Sequence, residues 1–151
     1  GAGRKGCANG DQARAGLMSV DPSLALQKAI YETLTGDSPP VAGGRVYDTV
    51  PANASFPYVS FGQFQSVANR ADCYDGTESF FELNVWSRAV GFPEAKGIAD
   101  QIRSLLDDET IYLNGHTLEL LSFQDANAVR DPDGITSRVI MSFRALSQPA
   151  D

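Results

Sequence analysis

The side chains able to do chemistry in this chain are few and scattered. The single histidine, His116, follows Asn114-Gly115, a turn signal that places it in an exposed position. A general base needs an orienting acid, and a metal site needs further ligands. Neither stands at a recognisable spacing from His116, which reads as an ordinary turn histidine. Asp72, Cys73 and Asp75 sit together, but nothing supplies a third or fourth strong ligand. Asp131, Asp133 and Gly134 share a trace of a calcium loop, yet the alternating oxygen ligands and the closing Glu are missing. Both groups read as solvated turns. Gly43-Gly44 has no strand before it and no capped helix after it, so it makes no phosphate cradle, and the chain has no Gly-x-Ser-x-Gly elbow. The sequence therefore points to no catalytic residue, no metal and no cofactor.

Two constellations suit contact better than catalysis. Asp107, Asp108 and Glu109 form an acidic run at the end of a helical pattern, where the helix dipole disfavours negative charge. The run reads either as a solvated helix end or as a surface for a cation or a basic partner. Trp86 shares a strand face with Glu82, Asn84 and Arg88, and a later strand offers Arg138 and Arg144. Tryptophan and arginine among carboxylates is the composition of a protein–protein contact. The competing reading is a tryptophan packed under loops or on a cross-strand neighbour.

The elements that position these groups follow from periodicity. Phe81, Leu83 and Val85 alternate with Glu82, Asn84 and Trp86, which predicts a strand packed on one face. After Gly91-Phe92-Pro93, the residues Ala95, Ile98, Ala99, Ile102, Leu105 and Leu106 recur at helical spacing, predicting a helix over 93–107 with Pro93 and Glu94 suited to its first turn. Ile98, Ile102 and Leu105 are expected in the core. An earlier helix is expected over 22–35, with Asp21 as N-cap, Pro22 as first residue and Gly36 as the stop. A short strand at Val46 to Val50 and a longer one at Phe56 to Phe64 follow. Residues 66–77 and 125–137 are polar and read as long loops. Asn114-Gly115 predicts a hairpin between Thr110–Leu113 and His116–Phe123. Arg138 to Leu146 alternates again. The expected fold is α+β: an antiparallel sheet with two main helices on one face.

The bulk numbers bound the function. The chain has 151 residues, enough for one core, with 42% hydrophobic and 21% charged content. No apolar run approaches a membrane span of about 20 residues. The formal net charge is −7; the first seventeen residues carry Arg4, Lys5 and Arg14 against Asp11, leaving −9 for the rest. Such an acidic domain argues against specific nucleic-acid binding through a basic face. Residues 1–17 lack hydrophobic period and read as a flexible leader or cloning remnant, with the domain proper at 18–151. Cys7 and Cys73 make no disulfide framework and are read as free thiols.

Read together, LALQKAIYETLTGD, GGRVYDTVP, FPYVSFG, FELNVWSRAVGFPEAKGIADQIRSLLDD and RDPDG leading into SRVIMSFRA resemble the tail terminator, or tail completion, family of long-tailed bacteriophages and gene transfer agents. The match is spread over residues 20–146. Its most specific part is Val-Trp-Ser-Arg followed by Glu-Ala-Lys and Ile-Ala-Asp. The resemblance implies a non-enzymatic virion protein assembled in the bacterial cytoplasm. It implies a homo-oligomeric ring, usually a hexamer, that caps the tail tube, joins it to the head connector and lets DNA through its lumen without specific binding. On that reading Asp107, Asp108, Glu109, Asp131 and Asp133 are expected to line the lumen, and Trp86, Arg88, Arg138 and Arg144 to form an interface. Two alternatives belong to neighbouring classes: a head–tail stopper or connector component, and a small-molecule-binding α+β domain.

Overall fold

The structure is a computed structural model that describes residues 21–71 and 74–150. Among these residues are two α-helices, α1 (Ser23–Thr35) and α2 (Pro93–Leu106), and a 3-10 turn at Val41–Gly44. The five strands are β1 (Val46–Tyr47), β2 (Tyr58–Ala71), β3 (Tyr74–Ser87), β4 (His116–Arg130) and β5 (Ser137–Pro149). They form one sheet in the order β1-β2-β3-β5-β4. All neighbours are antiparallel except β1 and β2, which run parallel over two pairs, Val46 with Val59 and Tyr47 with Ser60. The fold is the expected α+β class, with a mixed rather than a wholly antiparallel sheet.

The helices form where the apolar stripes predict. Leu26, Ala29, Ile30 and Leu34 are the buried line of α1. The helix starts one residue later than expected: Asp21 accepts the Ser23 amide at 3.0 Å, and Pro22 occupies the N-cap position. In α2 the buried line is Ala95, Ala99, Ile102 and Leu106, whereas Ile98 and Leu105 are only half-buried at its margins. The Glu94 carboxylate accepts the Ser87 hydroxyl at 2.7 Å, fastening the start of α2 to the end of β3. Both helices lie on one face of the sheet, over Phe81, Leu83, Val85, Val139, Met141 and Phe143. Burying each such side chain contributes roughly 2 kcal/mol.

Four phenylalanines cross this inner face in register, Phe64, Phe81, Phe143 and Phe123, one from each long strand. Their centroids lie 5.4, 5.3 and 5.6 Å apart along the row; the first two pairs are stacked and the last is edge-to-face. Both offset and edge-on geometries favour the ring quadrupoles. The register shifts in β2 between Phe61 and Phe64, and in β4 between Phe123 and Asp125, so both flanking strands are bulged at this row. Bulges bend a strand and increase its twist.

Three expectations are corrected. Residues 66–71 and 74–77 are not a loop: they are the paired arms of a β2–β3 hairpin, in register from Ser66–Ser79 to Ala71–Tyr74. Residues 125–130 likewise continue β4, leaving a turn at 131–136. In each case the exposed arm (65–71 in β2, 124–130 in β4) has no buried side, so no hydrophobic alternation marks it as strand. Asn114-Gly115 does reverse the chain, with Gly115 at φ 83° and a bridge between Leu113 and His116. Thr110–Ile111–Tyr112 form no strand, because β4 pairs instead along nearly all of β5. Cys7, Cys73, Asp72 and the leader 1–17 lie outside the described residues.

A candidate interaction surface at one end of the sheet

The β4–β5 turn marks one end of the sheet, where β3 finishes and β2 begins. On the face away from the helices, Trp86 stands opposite Arg138 across the β3–β5 pair, and Tyr58 opposite Trp86 across β2–β3. The Arg138 guanidinium lies 4.9 Å from the indole centroid, and Tyr58 stacks on the other side at 6.1 Å. The indole N–H donates to Ser60 Oγ at 3.0 Å. Arg88 follows two residues after Trp86, lies 4.4 Å over the Phe56 ring and donates from Nε to Thr136 Oγ1 at 3.2 Å. Phe56 in turn packs on Tyr58 at 4.9 Å, and Tyr47 adds a fourth ring at 5.9 Å. Trp86, Arg88 and Arg138 therefore come together as one cluster.

Arg144 does not join them. It pairs with Glu78 and stands opposite Phe80, six residues further along β3 from Trp86, roughly 20 Å at the usual strand rise. Arg45 and Arg130 lie at the same end, Arg45 beside the start of β1 and Arg130 on the helix face. Arg45 donates to the Pro57 carbonyl at 2.8 Å, and Arg130 ends β4 with its guanidinium 5.2 Å over Phe92. No sequence signal marked either arginine. Tyr58 could have been placed beside Trp86 by strand parity, once the two strands were known to pair.

The acidic groups fall in two places. Asp107 accepts the Phe123 amide at 2.9 Å and pairs with Arg103 at 3.8 Å, so its carboxylate holds the end of α2 against the β4 edge. Asp108 sits at φ 59° and donates its amide to the Leu121 carbonyl at 2.7 Å, while its side chain and that of Glu109 are exposed. Asp131 and Asp133 lie in the β4–β5 turn, roughly 25 Å along β4 from this contact. Asp133 accepts the amides of Ile135 and Thr136 and the Thr136 hydroxyl, at 2.9, 2.8 and 2.7 Å. The bonds from Thr136 and Ile135 hold its pKa down at about 2. Burial pushes the Tyr58 hydroxyl above its ordinary range, with Arg88 opposing and Asp131 adding to the shift.

His116 is not exposed, as its turn position suggested. It is 7% accessible, opposite Pro149, and its Nδ1 is buried without a hydrogen-bond partner. Burial lowers its pKa, with Asp21 opposing. Among the described residues no three His, Cys, Asp or Glu side chains converge as ligands. A polar groove of about 340 Å³ crosses the outer face at the level of the two bulges, lined by Gln63, Gln65, Phe80, Glu82, Gln124 and Ser142 among others.

This architecture matches known proteins closely. A family model described as tail completion protein gp17 matches residues 28–148. A chain solved within a "Virion of native gene transfer agent (GTA) particle" superposes with a TM-score of 0.79 at 29% identity, covering 86% of this chain and 99% of that one. A second solved protein, at 14% identity and TM-score 0.56, covers 85% of this chain and 94% of its own, a likeness of fold alone. No curated protein sequence matches.

Proposed function

Because the chain belongs to the tail completion protein family, we propose that it is the subunit of a ring that closes the tail tube, joins it to the head connector and lets DNA pass. The observation that carries this reading is the superposition on nearly the whole of a gene transfer agent virion chain, together with a family match across most of the domain. A place in the virion tail follows from the same two matches.

The strand edges support a ring. Beyond Ser60, β2 has no strand on its outer side among the described residues, and β4 is the opposite edge of the sheet. Exposed edges present unpaired N–H and C=O groups, a template for pairing with another chain. The two edges differ and lie on opposite flanks, which suits a heterologous, head-to-tail contact, the geometry that closes into rings of more than two.

The test is genetic and visual. Particles made without this gene are expected to show heads unjoined from tails of uncontrolled length, and the purified protein to form rings seen by negative stain at tube ends. Joined particles with tails of normal length in its absence would overturn the reading.

A further inference from the structure

The described arginines divide into two sets. Arg70, Arg103 and Arg144 pair with Asp75, Asp107 and Glu78. Arg45, Arg88, Arg130 and Arg138 make no ion pair with a carboxylate among the described residues, although the charge of Arg88 reaches Asp133; all four lie at the end of the sheet that carries the β4–β5 turn, Arg130 on the helix face and Arg88 and Arg138 on the other. In a chain of net charge −7, a gathering of unpaired guanidiniums is against the statistical grain. Three of them lie over aromatic rings, Arg88 on Phe56, Arg130 on Phe92 and Arg138 on Trp86. A guanidinium held over a ring face keeps edge N–H groups to donate, and its fork can recognise a carboxylate with two parallel hydrogen bonds. The Arg138 Nε–H is buried and makes no hydrogen bond in the chain itself.

We propose that this end of the sheet docks a carboxylate-rich segment of a partner protein, with Arg88 and Arg138 as the anchoring pair beside Trp86. The inference deepens the tail-assembly reading above by giving one contact of the subunit its chemistry. Charge complementarity selects the partner. Arg88 and Arg138, with Arg45 close by, call for anionic groups, and the half-buried rings of Phe56, Tyr58 and Trp86 beside them call for apolar contact as well. A peptide offers both. Asp131 and Asp133 stand at the rim of the same end and repel any anion that reaches them, so a short acidic segment confined to Arg88 and Arg138 is favoured over the continuous charge of a nucleic-acid backbone.

Trp86 is the only tryptophan of the chain, so its emission reports on this site alone. The protein is titrated with a ten-residue polyglutamate peptide and, separately, with a DNA duplex of equal charge. The peptide is expected to change Trp86 emission saturably and in a salt-sensitive way, and the duplex is not. Replacing Arg88 and Arg138 together by Gln should weaken the peptide at least tenfold, while Arg70→Gln, at an ion pair at the far end of the β2–β3 hairpin, should leave it unchanged. Far-UV circular dichroism and the single substitutions establish that the variants are folded. The proposal falls if the peptide gives no saturable signal, or if Arg70→Gln weakens it as much as the double variant. It also falls if the duplex binds more tightly, which would make the surface a phosphate site. Rings that form without peptide binding would remove this inference and leave the ring intact; peptide binding without rings would do the reverse.

Discussion

The carboxylate of Asp107 accepts the backbone N–H of Phe123 at 2.9 Å, and the next residue, Asp108, donates its own amide to the Leu121 carbonyl. Two outward-facing backbone groups of an edge strand are thereby closed by the last residues of a helix. The contact lies beside the bulge between Phe123 and Asp125, where β4 leaves regular pairing. An acidic residue at a helix C-terminus, unfavourable against the dipole, has its reason in this edge.

Removing that carboxylate should loosen the edge locally. Asp107→Ala is expected to cost about 1–2 kcal/mol, the range for a lost charge-assisted hydrogen bond in a part-exposed place. Hydrogen exchange should show faster opening at Phe123 than at residues on β3. An unchanged Phe123 amide would mean that the β4 edge holds itself without α2.

The buried line of α2 can be tested by contrast. Ile102 is fully buried, and Ile98 only partly. Ile102→Ala should cost about 2–5 kcal/mol through lost transfer energy and a residual cavity. Ile98→Ala should cost less than half as much, both read from urea midpoints. Equal costs would place the helix at a different rotation about its axis.

The helices, the fold class and the inner face of β3 were legible because each has one buried side, which writes a period into the sequence. Phe81, Leu83 and Val85 show this, as do Leu26, Ala29 and Ile30. What was not legible has no buried side. Val67, Ala68 and Asn69 in β2 and Asn127, Ala128 and Val129 in β4 are strand by pairing alone, and their polar composition looks like loop. The strand order was also hidden: nothing local says that β5 inserts between β3 and β4. Of the residues expected to share a face, Trp86, Arg88 and Arg138 do cluster, as strand parity predicts. Arg144 shares that parity but sits beside Glu78, and parity cannot give distance along a strand. His116 looked exposed from its turn, yet the bridge to Leu113 and the pairing with Pro149 turn it inward.

His116 should make the fold acid-sensitive. Its ordinary pKa is 6.5 and burial lowers it in the folded state. Below pH 6.5 the unfolded chain therefore binds a proton that the folded chain refuses, and stability falls as pH drops through that window. Urea midpoints are expected to decrease from pH 7.5 to pH 5.5 in the wild type and to change much less in His116→Leu. The same decrease in both proteins would assign the effect to other groups. Asp133 acts in the same direction but only below pH 3.8, its contribution being lost as pH falls toward about 2.

The last prediction concerns the acidic groups and a DNA path. Asp107 and Asp133 are engaged in holding the fold, so reversing them tests folding rather than transport. Asp108 and Glu109 are exposed, and the Asp131 carboxylate accepts no hydrogen bond among the described residues, so Lys costs little at Glu109 and Asp131 and only the modest strain of a left-handed backbone at Asp108. If they face the channel of a ring, their negative charge keeps DNA sliding, because each phosphate contact made by a new Lys adds salt-sensitive affinity by counterion release. A triple Asp108→Lys, Glu109→Lys, Asp131→Lys variant should then assemble joined particles at nearly the normal level and deliver DNA markedly less well, with delivery improving as ionic strength rises. Intact delivery would show that these side chains do not face the path. Failed assembly with a normally folded subunit would place them in contacts between proteins instead.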